Sequence, residues 1–342
     1  MNKRIISIQL LRALACLLVL VVHLASFNPL TNLQFGGGIG VDIFFIISGF
    51  IIAGSVEGLP AKRPIYTFLV NRFSRVVPYY YLLTLVYVTG VYVAFRVHAS
   101  AGEFMRSFLF LPMGKDPVHP VGWSLNHEIF FYAFVAFALL LTRNMKRIAT
   151  LFLLLLLVLQ FVPLQLGIIK EIRASINLEF FLGMLIYLLR NKLLPHLRSL
   201  AWVGSAIVLL LVVMRLTLDQ MTETSTGYYR DTVMLLIGAG IDLPRGLIYG
   251  IPSALLCLTV LAQEFRLQSF AKNNLLLRIG NASFTIYLIQ HVFFTLLFRL
   301  EVSSLLLLTA TFCLIVAVSL RLYLLEGYIA RAVKERLLVS SG

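Results

Sequence analysis

Five groups of polar residues stand within stretches that are otherwise strongly apolar. An ionisable side chain in hydrocarbon is costly and usually faces a protein interior or a water-filled cavity, so these groups are where chemistry is to be sought. The first is Arg12 with His23, eleven residues apart in one apolar run. At about 100° per residue the two share one helix face, about 16 Å apart along the axis. A guanidinium aligned with a titratable imidazole suits a long anionic ligand threading between helices. The plain alternatives are snorkelling to the interface for Arg12 and an interfacial position for His23. The second group is the block Gly40 to Phe50, which holds Asp42 and Ser48 and follows three glycines, Gly36 to Gly38. Small residues let helices approach closely, so this block reads as structural support, with Asp42 pairing with a cation or capping its helix.

The third group, Phe68 to Pro78, carries Arg72 and Arg75 on one helix face. Guanidinium forks suit phosphates; anchoring to anionic headgroups is the alternative. The segment is expected to be an amphipathic helix lying in the interface. The fourth runs from Trp123 and Ser124 through Asn126, His127 and Glu128 to Tyr132. By depth Glu128 is expected beside His23, where a carboxylate would fix the imidazole tautomer and stabilise its charge. Otherwise it is solvated at the surface, with Trp123 in the aromatic belt. His127, about 100° round the helix, reads as a headgroup contact. The fifth is Ser283 to His291, in which Tyr287 and His291 share a face. Glu326 reads as a cap or a partner of Arg321. Cys16, Cys257 and Cys313 lie in apolar stretches without metal-ligand spacing and read as small buried residues; no metal site is expected.

The elements that position these groups follow from composition. The 342 residues are 60% hydrophobic and 13% charged, against about 25% charged in soluble domains. The mean hydropathy is +0.92. Lipid must therefore be the solvent, and the fold class is all-α, a polytopic integral membrane protein of about ten transmembrane helices. Spans are read near 5–27, 38–56, 77–95, 125–142, 147–167, 175–190, 199–218, 244–263, 279–298 and 303–325. The N-terminal run resembles a signal peptide but reads as the first span. A net charge of +14 reflects short basic loops rather than nucleic-acid binding. Lys3, Arg4, Lys62, Arg63, Arg143, Lys146, Lys192, Arg198, Arg266 and Lys272 fall in the loops that odd-to-even numbering puts on one side. The opposite loops carry acids such as Glu103, Asp116, Glu223 and Asp231. Both termini are therefore expected in the cytoplasm, and residues 1–342 form one domain without a separate soluble part.

Together these blocks resemble the membrane-bound acyltransferase-3 family, which O-acylates bacterial cell-surface sugars. The carriers are Arg12 with ten residues before His23, the Gly40 to Phe50 block, Phe68-x3-Arg72-x2-Arg75-x2-Pro78, Trp123-Ser124-Leu125-x2-Glu128-x2-Phe131-Tyr132, and Ser283-x3-Tyr287-Leu288 before His291. The resemblance covers nearly the whole chain. It implies a bacterial inner-membrane enzyme with no permanently bound cofactor, taking acetyl-CoA or another acyl-CoA as donor on the cytoplasmic side. Its partners would be a surface glycan or lipid-linked sugar acceptor, membrane lipid and polysaccharide-synthesis machinery. By the same resemblance His23 is the catalytic residue and Glu128 an essential acid. Arg12, Arg72 and Arg75 serve the CoA end, with Asp42, Ser48, Trp123, Ser124, Tyr132, Tyr287 and His291 in support. His23 would act either as a base on a sugar hydroxyl or as a covalent acyl carrier. The competing reading is a carrier of acyl groups or lipid-linked sugars that does not itself form the ester. Buried Arg, His and Glu suit carriers too, but the inverted repeats common in transporters are not evident.

Overall fold

The computed structural model describes residues 5–28, 39–96, 98–111, 117–161, 169, 172–221, 232–233, 243–270 and 274–339. Gly36 to Gly38, the basic residues Lys3, Arg4 and Lys272, and the acids Asp116, Glu223 and Asp231 lie outside the described residues. The principal helices are α1 (Ile6–Ala25), α2 (Ile39–Glu57), α3 (Pro64–Phe95), α4 (Ala101–Phe108), α5 (Gly122–Leu141), α6 (Met145–Gln160), α7 (Asn177–Leu193), α8 (Leu200–Met221), α9 (Gly250–Leu261), α10 (Leu275–Asn281), α11 (Ser283–Arg299) and α12 (Leu305–Val339). One two-residue antiparallel pair, Thr232–Val233 with Leu243–Pro244, departs from an all-helical chain.

Helices occupy each of the ten places where a span is expected. By length and apolar composition, and among the described residues, five of them can cross a membrane, or seven if each of two bent pairs counts as one span. Boundaries differ in three places. The stretch holding Arg72 and Arg75 is not a separate interfacial helix: α3 runs unbroken through Pro78 for 32 residues. Proline is tolerated inside membrane helices where neighbours satisfy the freed backbone group. The ninth expected span is bent by 76° between α10 and α11, and Gly280 of α10 lies against the Gln9 carbonyl of α1, where any side chain would collide. The eighth is shortened to α9, with Pro252 in its first turn, where a missing N–H costs nothing.

Close backbone approach fixes the core. α2 packs along α7, and a Cβ added at Gly49 would strike the Phe180 carbonyl, while one at Gly183 would strike the Ile46 carbonyl. The structural reading of the glycine block holds here, since Gly40 meets the Ala15 carbonyl of α1 in the same way. Beside this seam, Phe180 stacks between Phe45 at 4.6 Å and Phe131 at 4.4 Å. α1 is the central post, in contact with α2, α9, α10, α11 and α12.

Hydrogen bonds at the ends of the bundle join segments that the charge pattern assigns to the same side. At one end, here the base, the Glu264 carboxylate accepts from the Ile6 and Ser7 amides at 3.0 and 2.8 Å and caps α1. Tyr66 donates to the Leu337 carbonyl at 2.5 Å, Arg143 to the Pro60 carbonyl at 2.5 Å, and Gln263 to the Leu197 carbonyl at 3.2 Å. At the other end Arg299 donates to the Ala94 carbonyl at 3.1 Å.

Candidate active site

α1, α2, α3, α5 and α11 surround a cavity of about 100 Å³, counted as room for the centre of a water molecule. Its polar lining is Arg12, Ser48, Arg72, Arg75, Ser124, Glu128, Tyr132, Ser283 and Tyr287, and Phe44, Phe45 and Ile51 are among its apolar walls. Arg12 donates through Nε to Ser283 Oγ at 3.1 Å. The Arg72 guanidinium lies 5.7 Å from the Phe68 ring centre and 6.0 Å from that of Tyr132, within cation–π range. Among the described residues the Nε of Arg72 is buried without a hydrogen-bond partner. Among the described residues none of the three arginines is in an ion pair. Three guanidiniums facing one lining carboxylate leave a positive cavity, and arginine forks present donors in the geometry that phosphate and carboxylate accept.

Glu128 is that carboxylate. Its Oε1 accepts from Ser48 Oγ at 3.0 Å and also from the Tyr132 hydroxyl. Among the described residues it makes no contact with His23, contrary to the sequence expectation. The reason lies in the turn before α5, which folds inward so that His119 reaches the level of His291. Glu128 stands six residues into α5 from Gly122, about 9 Å further along the axis, and so reaches the arginines. Ser48 therefore serves the site directly and not only helix packing.

His23 sits at the other end of α1 from the cavity, in an aromatic nest. Its ring centre is 5.5 Å from those of His291 and Phe294. His291 is in turn 5.9 Å from His119. The expected pairing of Tyr287 and His291 on one face is present but divided between levels: Tyr287 lines the cavity and is hydrogen-bonded to Ser124 Oγ at 2.9 Å, whereas His291 joins the imidazoles. His119 escaped sequence reasoning. A histidine between two prolines in a polar loop gives no periodic signal, yet it is fully buried. Burial pushes its imidazole down to about 3, so the ring is neutral near pH 7.

Other expectations need revision. His127 is no headgroup contact: it is buried, 3.1 Å from Asn177 Oδ1 through Nδ1, and packs on Trp123 and Phe45. Trp123 is half-buried and packs edge-on against Phe45 and the core of the bundle. Asp42 keeps the place its reading gave it, in the first turn of α2 where a carboxylate complements the helix N-terminus, and is completely buried. Glu326 accepts from Thr285 Oγ1 at 2.8 Å within electrostatic reach of Arg12 and Arg75. It lies in the interior of α12, so it caps nothing, and among the described residues it is not paired with Arg321. Cys16 and Cys257 are buried as expected, but Cys313 is exposed. Among the described residues no group of histidine, cysteine and carboxylate side chains is arranged to hold a metal ion.

Comparison with known proteins gives the same direction as the residues. The model of the acyltransferase domain of the acyltransferase-3 family matches residues 5–324. A relative, the exopolysaccharide production protein ExoZ of Rhizobium meliloti (strain 1021), is 32% identical over 160 residues, which is 44% of this chain and 50% of the relative. The match thus spans half the length of that relative. No solved structure matches the chain.

Proposed function

As the chain belongs to the acyltransferase-3 family, we propose that it takes an acyl group, acetyl by default, from acyl-CoA at the cytoplasmic face and esterifies a hydroxyl of an exported polysaccharide. The observation that carries this reading is the cavity lined by Arg12, Arg72 and Arg75, none ion-paired among the described residues, with Arg12 on the helix that also bears His23. Diphosphate and 3′-phosphate groups match such a cavity. The arm of pantetheine is comparable in length to the separation of Arg12 and His23, about 16 Å. ExoZ is named for exopolysaccharide production, which supports a glycan acceptor. With both termini inside a bacterial inner membrane, the base and its basic loops face the donor.

In the transfer the acceptor oxygen forms a bond to the acyl carbon and the thioester C–S bond breaks. His23 takes the hydroxyl proton as general base and returns it to the departing sulfur, which leaves as the free thiol of CoA. Glu128 holds Ser48 and Tyr132 and tempers the charge of the arginines. Purified protein, given labelled acetyl-CoA and polysaccharide extracted from cells lacking the gene, is expected to yield acetylated glycan. The His23→Ala protein is expected to yield none while inserting and melting normally. Label carried into vesicles without an ester product would make the protein a carrier, and full transfer by His23→Ala would remove His23 from the mechanism.

A further inference from the structure

The turn that precedes α5 joins the arginine cavity to the imidazole nest. Ser124 Oγ donates to the Val121 carbonyl at 2.9 Å, so its single proton is committed and the Tyr287 hydroxyl, 2.9 Å away, must be the donor to it. The Val121 amide donates to His119 Nδ1 at 3.4 Å. That bond makes Nδ1 an acceptor and puts the ring proton on Nε2. The His119 ring is clamped by Tyr87, 4.9 Å away, and Tyr80, 6.0 Å away, and its edge contact with His291 continues to His23.

Packing alone does not account for an imidazole at this position. His119 is completely buried, accepts from the Val121 amide through Nδ1, and lies within hydrogen-bonding reach of the Leu288 carbonyl of α11. An apolar ring would fill the same space but would leave the buried Val121 amide without its acceptor, which is costly. Its turn is also tied from outside, since the Val118 amide donates to Ser107 Oγ at the end of α4 at 2.5 Å. The turn is thus anchored on three sides, with the imidazole as the piece that faces His291.

We propose that His119 is a positioning residue: through the Val121 amide it is fixed to the Tyr287–Ser124 wall of the cavity, and through the His291 ring it sets the orientation of His23. Occupancy of the cavity at Tyr287 is thereby felt at the imidazole that does the chemistry. This inference rests on the reading of His23 as the transfer base.

Two substitutions separate the links. His119→Phe keeps a ring against His291 but leaves the Val121 amide unpaired. His119→Asn keeps an acceptor near Nδ1 but removes the ring. Each is assayed with labelled acetyl-CoA and extracted polysaccharide, beside a thermal melt and the His23→Ala control. Both folded variants are expected to lose tenfold or more in kcat with the KM for acetyl-CoA within about twofold of the parent, because positioning of the base acts in the transition state and not in donor binding. In a His291→Phe background the further loss from His119→Asn is expected to shrink to less than threefold, as coupled residues are not additive. Parental kcat in either folded variant, a loss confined to KM, or a full independent loss in the His291→Phe background would overturn the positioning role. If His23→Ala transfers normally, the underlying reading of His23 fails instead.

Discussion

At the scale of single residues, the site depends on how its arginines are held. Arg12 is pinned through Nε by Ser283, which leaves its terminal nitrogens for a ligand. Arg72 is steadied by two aromatic rings and, among the described residues, keeps its Nε unpaired. Such preorganisation lowers the ordering cost of binding an anion. A charge-assisted hydrogen bond contributes about 1.5–3 kcal/mol, which is about 10- to 100-fold in affinity. Arg72→Ala is therefore expected to weaken acetyl-CoA binding by about that factor, with a shallower salt dependence, as read by calorimetry on detergent-solubilised protein. An unchanged affinity would return Arg72 to a structural role. Glu128→Gln has the opposite sign. It keeps a side-chain acceptor for Ser48 and Tyr132 but deletes the carboxylate that the cavity presents to the arginines. Acetyl-CoA is expected to bind more tightly, by about fivefold for a change of about 1 kcal/mol, while turnover falls if the carboxylate acts in the transfer. Weaker binding would mean that Glu128 chiefly holds the arginines in place.

At the scale of elements, the site exists because α2 and α7 meet backbone to backbone. Gly49 and Gly183 each face a carbonyl of the other helix, so a methyl group at either forces the pair apart. Gly49→Ala and Gly183→Ala are each expected to destabilise by about 1–3 kcal/mol, the usual cost of overpacking. Gly204 of α8 has open space around it, and Gly204→Ala is expected to be neutral. Melting curves in detergent check all three, and an equal response would show that the seam does not carry stability. The same elements explain what sequence could and could not tell. Long apolar runs with buried ends, such as α1 and α2, are legible because the bilayer demands them. The continuity of α3 through Pro78 was not legible, because whether proline breaks a helix depends on its neighbours. Nor was the bend at Ala282, beside the contact between Gly280 and α1. Arg12, Arg72 and Arg75 could be suspected from depth and chemistry, but their convergence with Glu128 is set by an inward-folded turn that no local pattern encodes. His119, which belongs to that turn, was invisible for the same reason.

For the whole molecule, the positive-inside pattern and the contacts at the ends of the bundle are independent observations. The first counts charges in loops; the second records which loops touch. The N-terminal turn reaches Glu264, the start of α3 reaches Leu337, and Arg143 reaches the 59–60 loop, each a pair that the charge pattern puts on one side. Agreement of the two supports the grouping of these loops at one end of the bundle, because a single span inserted the wrong way would separate at least one pair. Which side the base faces decides where acyl-CoA enters. With Cys313, the exposed native cysteine, replaced by Ala, single cysteines at the exposed positions Lys62, Arg336 and His98 report it. A membrane-impermeant thiol reagent is expected to label His98→Cys in intact spheroplasts, and Lys62→Cys and Arg336→Cys only in inverted vesicles. The reverse pattern would leave the fold intact but move donor entry to the outer face, where acyl-CoA is not made. Lys62→Cys and Arg336→Cys labelled from different sides would instead contradict the hydrogen bond between Tyr66 and Leu337, and with it the assembly of α3 against α12 that carries Arg72 and Arg75 to the cavity.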